Sequence, residues 1–245
     1  MADDANNGIP VRTDGAPWRN FYGRRRGKAL RPGQIRHLET TLRTFSVPGV
    51  GWDENPSRRA VDLNTLFDRS APVHLEIGFG GGEHLLGIAQ ANPDVDFIGC
   101  EPFVNGVAMF LPKLDERSLS NLRVHAGDAR DVLDVLPDRS LDRCYLLYPD
   151  PWPKKRHHRR RFINPENLAP LARTLRPGAE LRIATDIPDY ARHSLEHLHK
   201  HPDFTFCANS AADWRIPWTS WIRTRYEAKA LREGRTPYYL RFRRC

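Results

Sequence analysis

Val73-His74-Leu75-Glu76-Ile77-Gly78-Phe79-Gly80-Gly81-Gly82-Glu83 is the stretch that decides the fold of this 245-residue chain. A short apolar run breaks into glycines, and Leu85-Leu86-Gly87-Ile88-Ala89 then resumes as a helix. Glycines at a strand-to-helix turn carry no Cβ, so a nucleotide can approach the backbone closely. The same alternation continues outward. Residues 97–100, 122–125, 141–147 and 180–184 read as further strands, while 104–111, 131–136 and 165–175 read as helical. Strand and helix alternating at this spacing predict an α/β fold with a doubly wound, mostly parallel sheet. No internal repeat is found.

The chain divides near residue 55. Residues 56–245 form the α/β domain, and residues 1–55 form a polar, basic N-terminal arm, expected to be partly disordered. Within the arm, Arg19-Asn20-Phe21-Tyr22-Gly23-Arg24-Arg25-Arg26-Gly27-Lys28 mixes cations with rings. Such a segment serves either as a solubilising tail or as an arm that orders on RNA.

Lysine and arginine total 38 against 30 acids, a formal charge of +8, and only six of the 38 are lysines. Arginine's planar fork suits phosphates and base edges better than an ammonium does, so the balance favours a nucleic-acid partner. The four cysteines are far apart and contain no Cys-x-x-Cys pair, which suggests neither a zinc site nor a disulfide framework. Met1-Ala2-Asp3-Asp4 is acidic and no apolar stretch reaches the length of a membrane span, so a cytoplasmic protein without a membrane partner is expected. A monomer is the expected assembly.

A dinucleotide fingerprint would place a third glycine where Glu83 stands, and Glu76 precedes the turn. Carboxylates there repel a pyrophosphate but receive a cationic, amine-bearing ligand, which favours S-adenosylmethionine over NAD. Glu101 ends the second strand, where an acid can accept ribose hydroxyls. Asp128 ends the third strand, where a carboxylate can reach an adenine amino group or cap the next helix. Three acids at consecutive strand ends are harder to explain by capping alone.

The fourth strand runs into Tyr148-Pro149-Asp150-Pro151-Trp152-Pro153-Lys154-Lys155-Arg156-His157-His158-Arg159-Arg160-Arg161. Each proline fixes φ and removes a donor, so Asp150 and Trp152 sit on a stiffened loop. Trp152 either stacks on a base or packs inward. Lys154, Arg156, Arg159, Arg160 and Arg161 are expected to track an RNA backbone. Further on, the Trp214–Arg223 region, rich in tryptophan and arginine, either closes over the sheet edge or stacks on bases. Thr224 and Glu227 have the spacing of a capping box.

On Leu75-Glu76-Ile77-Gly78-Phe79-Gly80, Pro149-Asp150-Pro151-Trp152 with its basic tail, Ala184-Thr185-Asp186 and Thr224-Arg225-Tyr226-Glu227, the chain resembles the bacterial tRNA (guanine-N7-)-methyltransferases. The resemblance covers everything from about Arg19 onward. It departs modestly in the last motif, where the family more usually reads Thr-Lys-Phe-Glu. It implies a class I, Rossmann-like S-adenosylmethionine-dependent fold and transfer of a methyl group to N7 of the variable-loop guanosine, position 46, of tRNA. It implies cofactor contacts at Glu76, Gly78, Gly80, Glu101, Asp128 and Asp150, and guanosine or tRNA contacts at Lys154, Asp186 and Thr224, Arg225, Tyr226 and Glu227. Guanine N7 carries a lone pair and no proton, so Asp150, the expected catalytic residue, is assigned positioning and electrostatics. Competing readings are an N6-adenine-type nucleic-acid methyltransferase and a non-catalytic RNA-binding module.

Overall fold

Burial explains why Val73–Ile77 is a strand: all five residues are buried, as a strand covered on both faces requires. The computed structural model describes residues 19–245; the acidic N-terminus and the first part of the arm lie outside them. The strands are β1 (Val73–Ile77), β2 (Asp96–Cys100), β3 (Leu122–His125), β4 (Leu141–Leu147), β5 (Leu175–Thr185), β6 (Phe204–Phe206) and β7 (Tyr238–Arg244). The helices are α1 (Pro32–Glu39), α2 (Thr41–Phe45), α3 (Leu63–Phe67), α4 (Glu83–Ala91), α5 (Val104–Arg117), α6 (Ala129–Val135), α7 (Pro165–Thr174), α8 (Pro188–Lys200), α9 (Ala212–Arg215) and α10 (Arg225–Arg232).

The sheet order is β3-β2-β1-β4-β5-β7-β6. The first five strands pair in parallel, and β7 runs antiparallel between β5 and β6. The five strands expected from the sequence are present, joined by the expected crossover helices. Each strand sends alternate residues to opposite faces. Leu75, Cys144, Leu181 and Phe242 meet α6, α7 and α8 on one face. Phe97, Tyr145, Leu147 and Tyr239 meet α4, α5 and Trp218 on the other. Order reverses between β1 and β4, so a crevice opens at the carboxyl ends of those strands.

Part of the segment read as an arm is regular structure. α1 packs against α5, Ser46 bridges to Val124 on the edge of β3, and Val47 and Val50 enter the core. α1 buries no residue, which is why no apolar stripe marks it. α8 buries Tyr190, Ala191, His193, Ser194 and Leu198, a set too polar to read as an apolar face. No helix among the described residues is long and apolar enough to cross a membrane.

Candidate functional site

The glycine turn after β1 is held by an acid from the next strand. Gly78 and Gly80 lie at φ +74° and +57°, the left-handed region where a Cβ is strained. The backbone N–H of Gly80 donates to Glu101 Oε2 at 2.6 Å, and Phe103 N–H donates to Oε1 at 2.8 Å. A Cβ built on Gly78 would meet nothing within 4 Å, whereas one on Gly106 of α5 would come within 2.7 Å of the Gly80 carbonyl oxygen. The turn is therefore open towards the crevice and tightly backed by α5. Burial raises the Glu101 pKa, more than its two backbone hydrogen bonds lower it.

The other two strand-end acids differ. Asp128 accepts from Arg130 N–H at 3.0 Å and so caps α6, and Arg130 Nη2 donates to Asp128 Oδ2 at 2.6 Å. Burial pushes the Asp128 pKa up, but the Arg130 hydrogen bond and charge outweigh it and hold it low. Capping does not consume the residue, because Asp128 also faces the crevice. Glu76 is buried behind the turn, with His84 Nδ1 2.6 Å from its Oε2.

The proline-bracketed loop is strained on both sides of Asp150. Tyr148 and Trp152 have φ of +50° and +43°, a conformation costing about 1–3 kcal/mol for a non-glycine residue. Tyr148 N–H donates to Ala184 O at 2.7 Å, and Arg161 Nε donates to Pro151 O at 3.0 Å. Asp150 makes no hydrogen bond or ion pair among the described residues. It is exposed at the crevice, yet surrounding protein atoms raise its pKa. Trp152 is half-buried and turned towards the crevice, so the core-anchor alternative is not what is found.

The basic run forms a 3-10 helix, Lys155–Arg160, with Lys154, Arg156 and Arg159 exposed. Arg161 needs a correction. It is 1% exposed, its Nη2 donates to Asp189 Oδ2 at 2.5 Å, and its guanidinium lies 5.3 Å from the Tyr190 ring. A buried guanidinium whose donors hold the loop and α8 has no fork left for a phosphate. Arg161→Met, which keeps the stem and removes the fork, is expected to lower stability by about 1.5–3 kcal/mol. Its tRNA-binding salt slope should match wild type, whereas Arg159→Gln should flatten it by roughly one phosphate contact. Denaturant unfolding and binding titrations across salt concentrations check both.

Arm residues form a wall of the site that the sequence reading did not assign. Arg19 pairs with Asp134 of α6 at 2.7 Å, and Arg130 Nη2 donates to Asn20 O at 3.1 Å. Val104 N–H donates to Arg25 O at 2.9 Å. The Arg160 guanidinium lies between two rings, 4.8 Å from Tyr22 and 4.9 Å from Trp152. The only sequence signal was the mixture of cations and rings in residues 19–28.

The late motif splits by role. Thr224 caps α10 by accepting from Glu227 N–H at 3.1 Å. Glu227 does not return the bond as a capping box would. It is 2% exposed, accepts from Trp221 Nε1 at 2.7 Å, and accepts from the Tyr239 hydroxyl. Trp218 and Trp221 meet edge to face at 4.9 Å over Tyr239 and Tyr145, so these rings close the sheet. Arg225 pairs with Glu83, and Asp186 pairs with Arg235 at 2.5 Å. Tyr226 alone of the four reaches the crevice, beside Gly80.

The crevice encloses about 700 Å³. Gly78, Gly80, Glu101, Asp128 and Asp150 line it, and Arg159, Arg160 and Tyr226 stand at its margin. Glu76, Lys154, Arg156, Asp186, Thr224, Arg225 and Glu227 lie outside the lining. The crevice thus sets three strand-end acids beside an open glycine turn, with arginines of the arm, α6 and the basic run also in its lining.

Residues 70–240 match a protein family described as a putative methyltransferase. A tRNA (guanine-N(7)-)-methyltransferase of Ruegeria sp. (strain TM1040) is 59% identical, with the match covering all of this chain and 95% of that one. A protein of the same name from Cereibacter sphaeroides is 53% identical over 99% of this chain and 98% of its own length. Among solved structures, that of a 16S rRNA methyltransferase, KamB, superposes with a TM-score of 0.50 at 19% identity. That match covers 76% of this chain and 95% of that one, a likeness of fold.

Proposed function

This chain belongs to the family of tRNA (guanine-N(7)-)-methyltransferases, and we propose that it methylates N7 of the variable-loop guanosine, position 46, of tRNA, with S-adenosylmethionine as donor. The observation that supports it most is the placing of Asp150, whose carboxylate has no hydrogen-bond or ion-pair partner among the described residues, in the same crevice as Glu101 and Asp128. We assign Glu101 to the ribose hydroxyls and Asp128 to the adenine amino group. Glu76 adds negative charge from behind the turn, which favours a cationic ligand. The open face of Gly78 and the strand-end acids Glu101, Asp128 and Asp150 fit such a molecule.

S-adenosylmethionine supplies a methyl group activated by a sulfonium. Guanine N7 presents a lone pair and loses no proton, so the protein need not provide a general base. Its work is to hold the base in line and to exclude competing orientations, worth several kcal/mol. Asp150 orients the guanine and stabilises the positive charge that moves onto the ring. Trp152 and Tyr226 offer ring faces at the margin, and Lys154, Arg156 and Arg159 take phosphates. A monomer is the proposed assembly, and a tRNA substrate supports a cytoplasmic site of action.

Incubation of the protein with methyl-labelled S-adenosylmethionine and unmodified tRNA, followed by nucleoside analysis, tests the assignment. Label in 7-methylguanosine, lost when the variable-loop guanosine is replaced by adenosine, is expected. Label in N6-methyladenosine, or no label with tRNA still bound, would sink it.

A further inference from the structure

The two faces of the sheet are not covered alike. On the face carrying Tyr145 and Tyr239, the Trp218–Trp221 rings cover the crevice ends of β4, β5 and β7 and reach as far as Tyr145 and Arg182. Among the described residues the helices chiefly against β5 and β7 are α7, α8 and α9, and α7, α8 and Trp214 of α9 pack on the opposite face. Farther down this face, which no helix among the described residues covers, arginines replace apolar residues. Register places Arg143 beside Glu180 and Glu180 beside Arg243 in one row, with Tyr145, Arg182 and Arg241 in the next.

These cations are not equally engaged. Arg182 Nη2 donates to Glu180 Oε2 at 2.6 Å, and Arg143 Nε lies 3.5 Å from the same oxygen. The Arg241 and Arg243 side chains make no hydrogen bond or close ion pair among the described residues, although the Arg241 charge helps to hold the Glu180 and Asp213 carboxyls low, and Arg243 is exposed. Nearby, Asp213 already accepts from Asn209 and Ser210 N–H, each at 2.8 Å. The two guanidiniums border a groove of about 510 Å³ between β7 and the 205–213 segment. The face is positive enough to act on its neighbours. Buried His74, paired in register with Arg143, has its pKa lowered to about 3 by burial and then by Arg143, Arg182 and Arg176.

We propose that this face, headed by Arg241 and Arg243, is a second contact surface for the sugar-phosphate backbone of the tRNA. The inference rests on tRNA being the substrate. Arg243 pairs with Glu180, whereas Tyr238 pairs with Thr185 at the crevice end. Five residues of strand separate them, roughly 17 Å, so a nucleoside in the crevice does not reach Arg243 and a long polyanion does. Two forks on one face of a strand, about 7 Å apart, suit successive phosphates better than a compact acidic side chain.

The test uses the full chain with Arg241→Gln/Arg243→Gln, which keeps stem length and removes charge. Affinity for intact tRNA should fall roughly tenfold or more, and the salt slope should flatten by about two phosphate contacts. Arg241→Lys/Arg243→Lys should retain the slope. S-adenosylmethionine affinity and the methylation rate at saturating tRNA should stay at wild-type values. A stem-loop holding only the target guanosine should bind both proteins equally. Wild-type tRNA affinity and slope in the glutamine variant would overturn the proposal and leave the face to another partner, such as an acidic protein. Failure of the wild-type protein to methylate tRNA would instead defeat the functional reading beneath it.

Discussion

Asp150→Ala is expected to lower the single-turnover methylation rate about 10²-fold or more, the loss typical of a misplaced reacting group, with S-adenosylmethionine still bound. The structure sharpens this expectation. Asp150 stands between two prolines and two left-handed residues, on a loop tied by Tyr148 to β5 and by Arg161 to α8. That geometry fixes the carboxylate without satisfying it. Asp150→Asn keeps shape and an acceptor oxygen but loses the charge, so it should retain more activity than alanine if orientation dominates. An asparagine variant with wild-type rate and pH profile would remove the charge from the mechanism.

The raised pKa adds two consequences whose signs are fixed. A carboxyl whose folded pKa exceeds its unfolded value favours folding when protonated, and that contribution is lost as pH rises through the folded pKa. At neutral pH the ionised Asp150 therefore works against stability. Asp150→Asn should melt at a higher temperature than wild type at pH 7 while methylating more slowly, the trade-off expected of a strained functional group. Activity should fall on acidification from a point above the ordinary aspartate range. In the asparagine variant that limb should vanish, leaving any limb due to protonation of guanine N7 itself. Paired melting curves and pH–rate profiles read both.

The legible features were local in sequence. The glycine turn, the crossover helices and the acids at three strand ends are written in composition and period within windows of about ten residues. Asp150 was legible for the same reason, because its two prolines are neighbours. Contacts across the chain left no such mark. Arg161 is indistinguishable in sequence from Arg159, and only Asp189 and Tyr190, nearly thirty residues on, turn it inward. Glu227 resembles a substrate contact until Trp221 and Tyr239 are seen to occupy both its oxygens. β6 is three residues long, and β7 interleaves arginines with its buried Tyr239, Leu240 and Phe242, so neither presents a run of apolar residues. The arm's contact with the crevice depends on single pairings, Arg19 to Asp134 and Tyr22 to Arg160, which no periodicity encodes.

Glu101→Ala should weaken S-adenosylmethionine binding by about 1–3 kcal/mol, the cost of a lost charged hydrogen-bond partner, or about 5- to 150-fold in dissociation constant. A second effect joins the first, because the same carboxylate accepts the N–H groups of Gly80 and Phe103 and so pins the turn against which the ligand lies. Glu101→Gln separates the two poorly: its amide nitrogen would face a backbone donor, leaving one N–H unsatisfied. Glutamine is therefore expected to behave more like alanine than like wild type. Protonation should do the same. With its pKa raised mainly by burial, Glu101 should accept a proton on mild acidification, and ligand affinity should drop above the ordinary glutamate range. Isothermal titration across pH measures this, and thermal unfolding of the unliganded variant isolates the contribution of the turn. A variant that unfolds earlier but binds the ligand with the wild-type constant would make Glu101 a prop for the glycine turn and move the ribose contact elsewhere in the crevice.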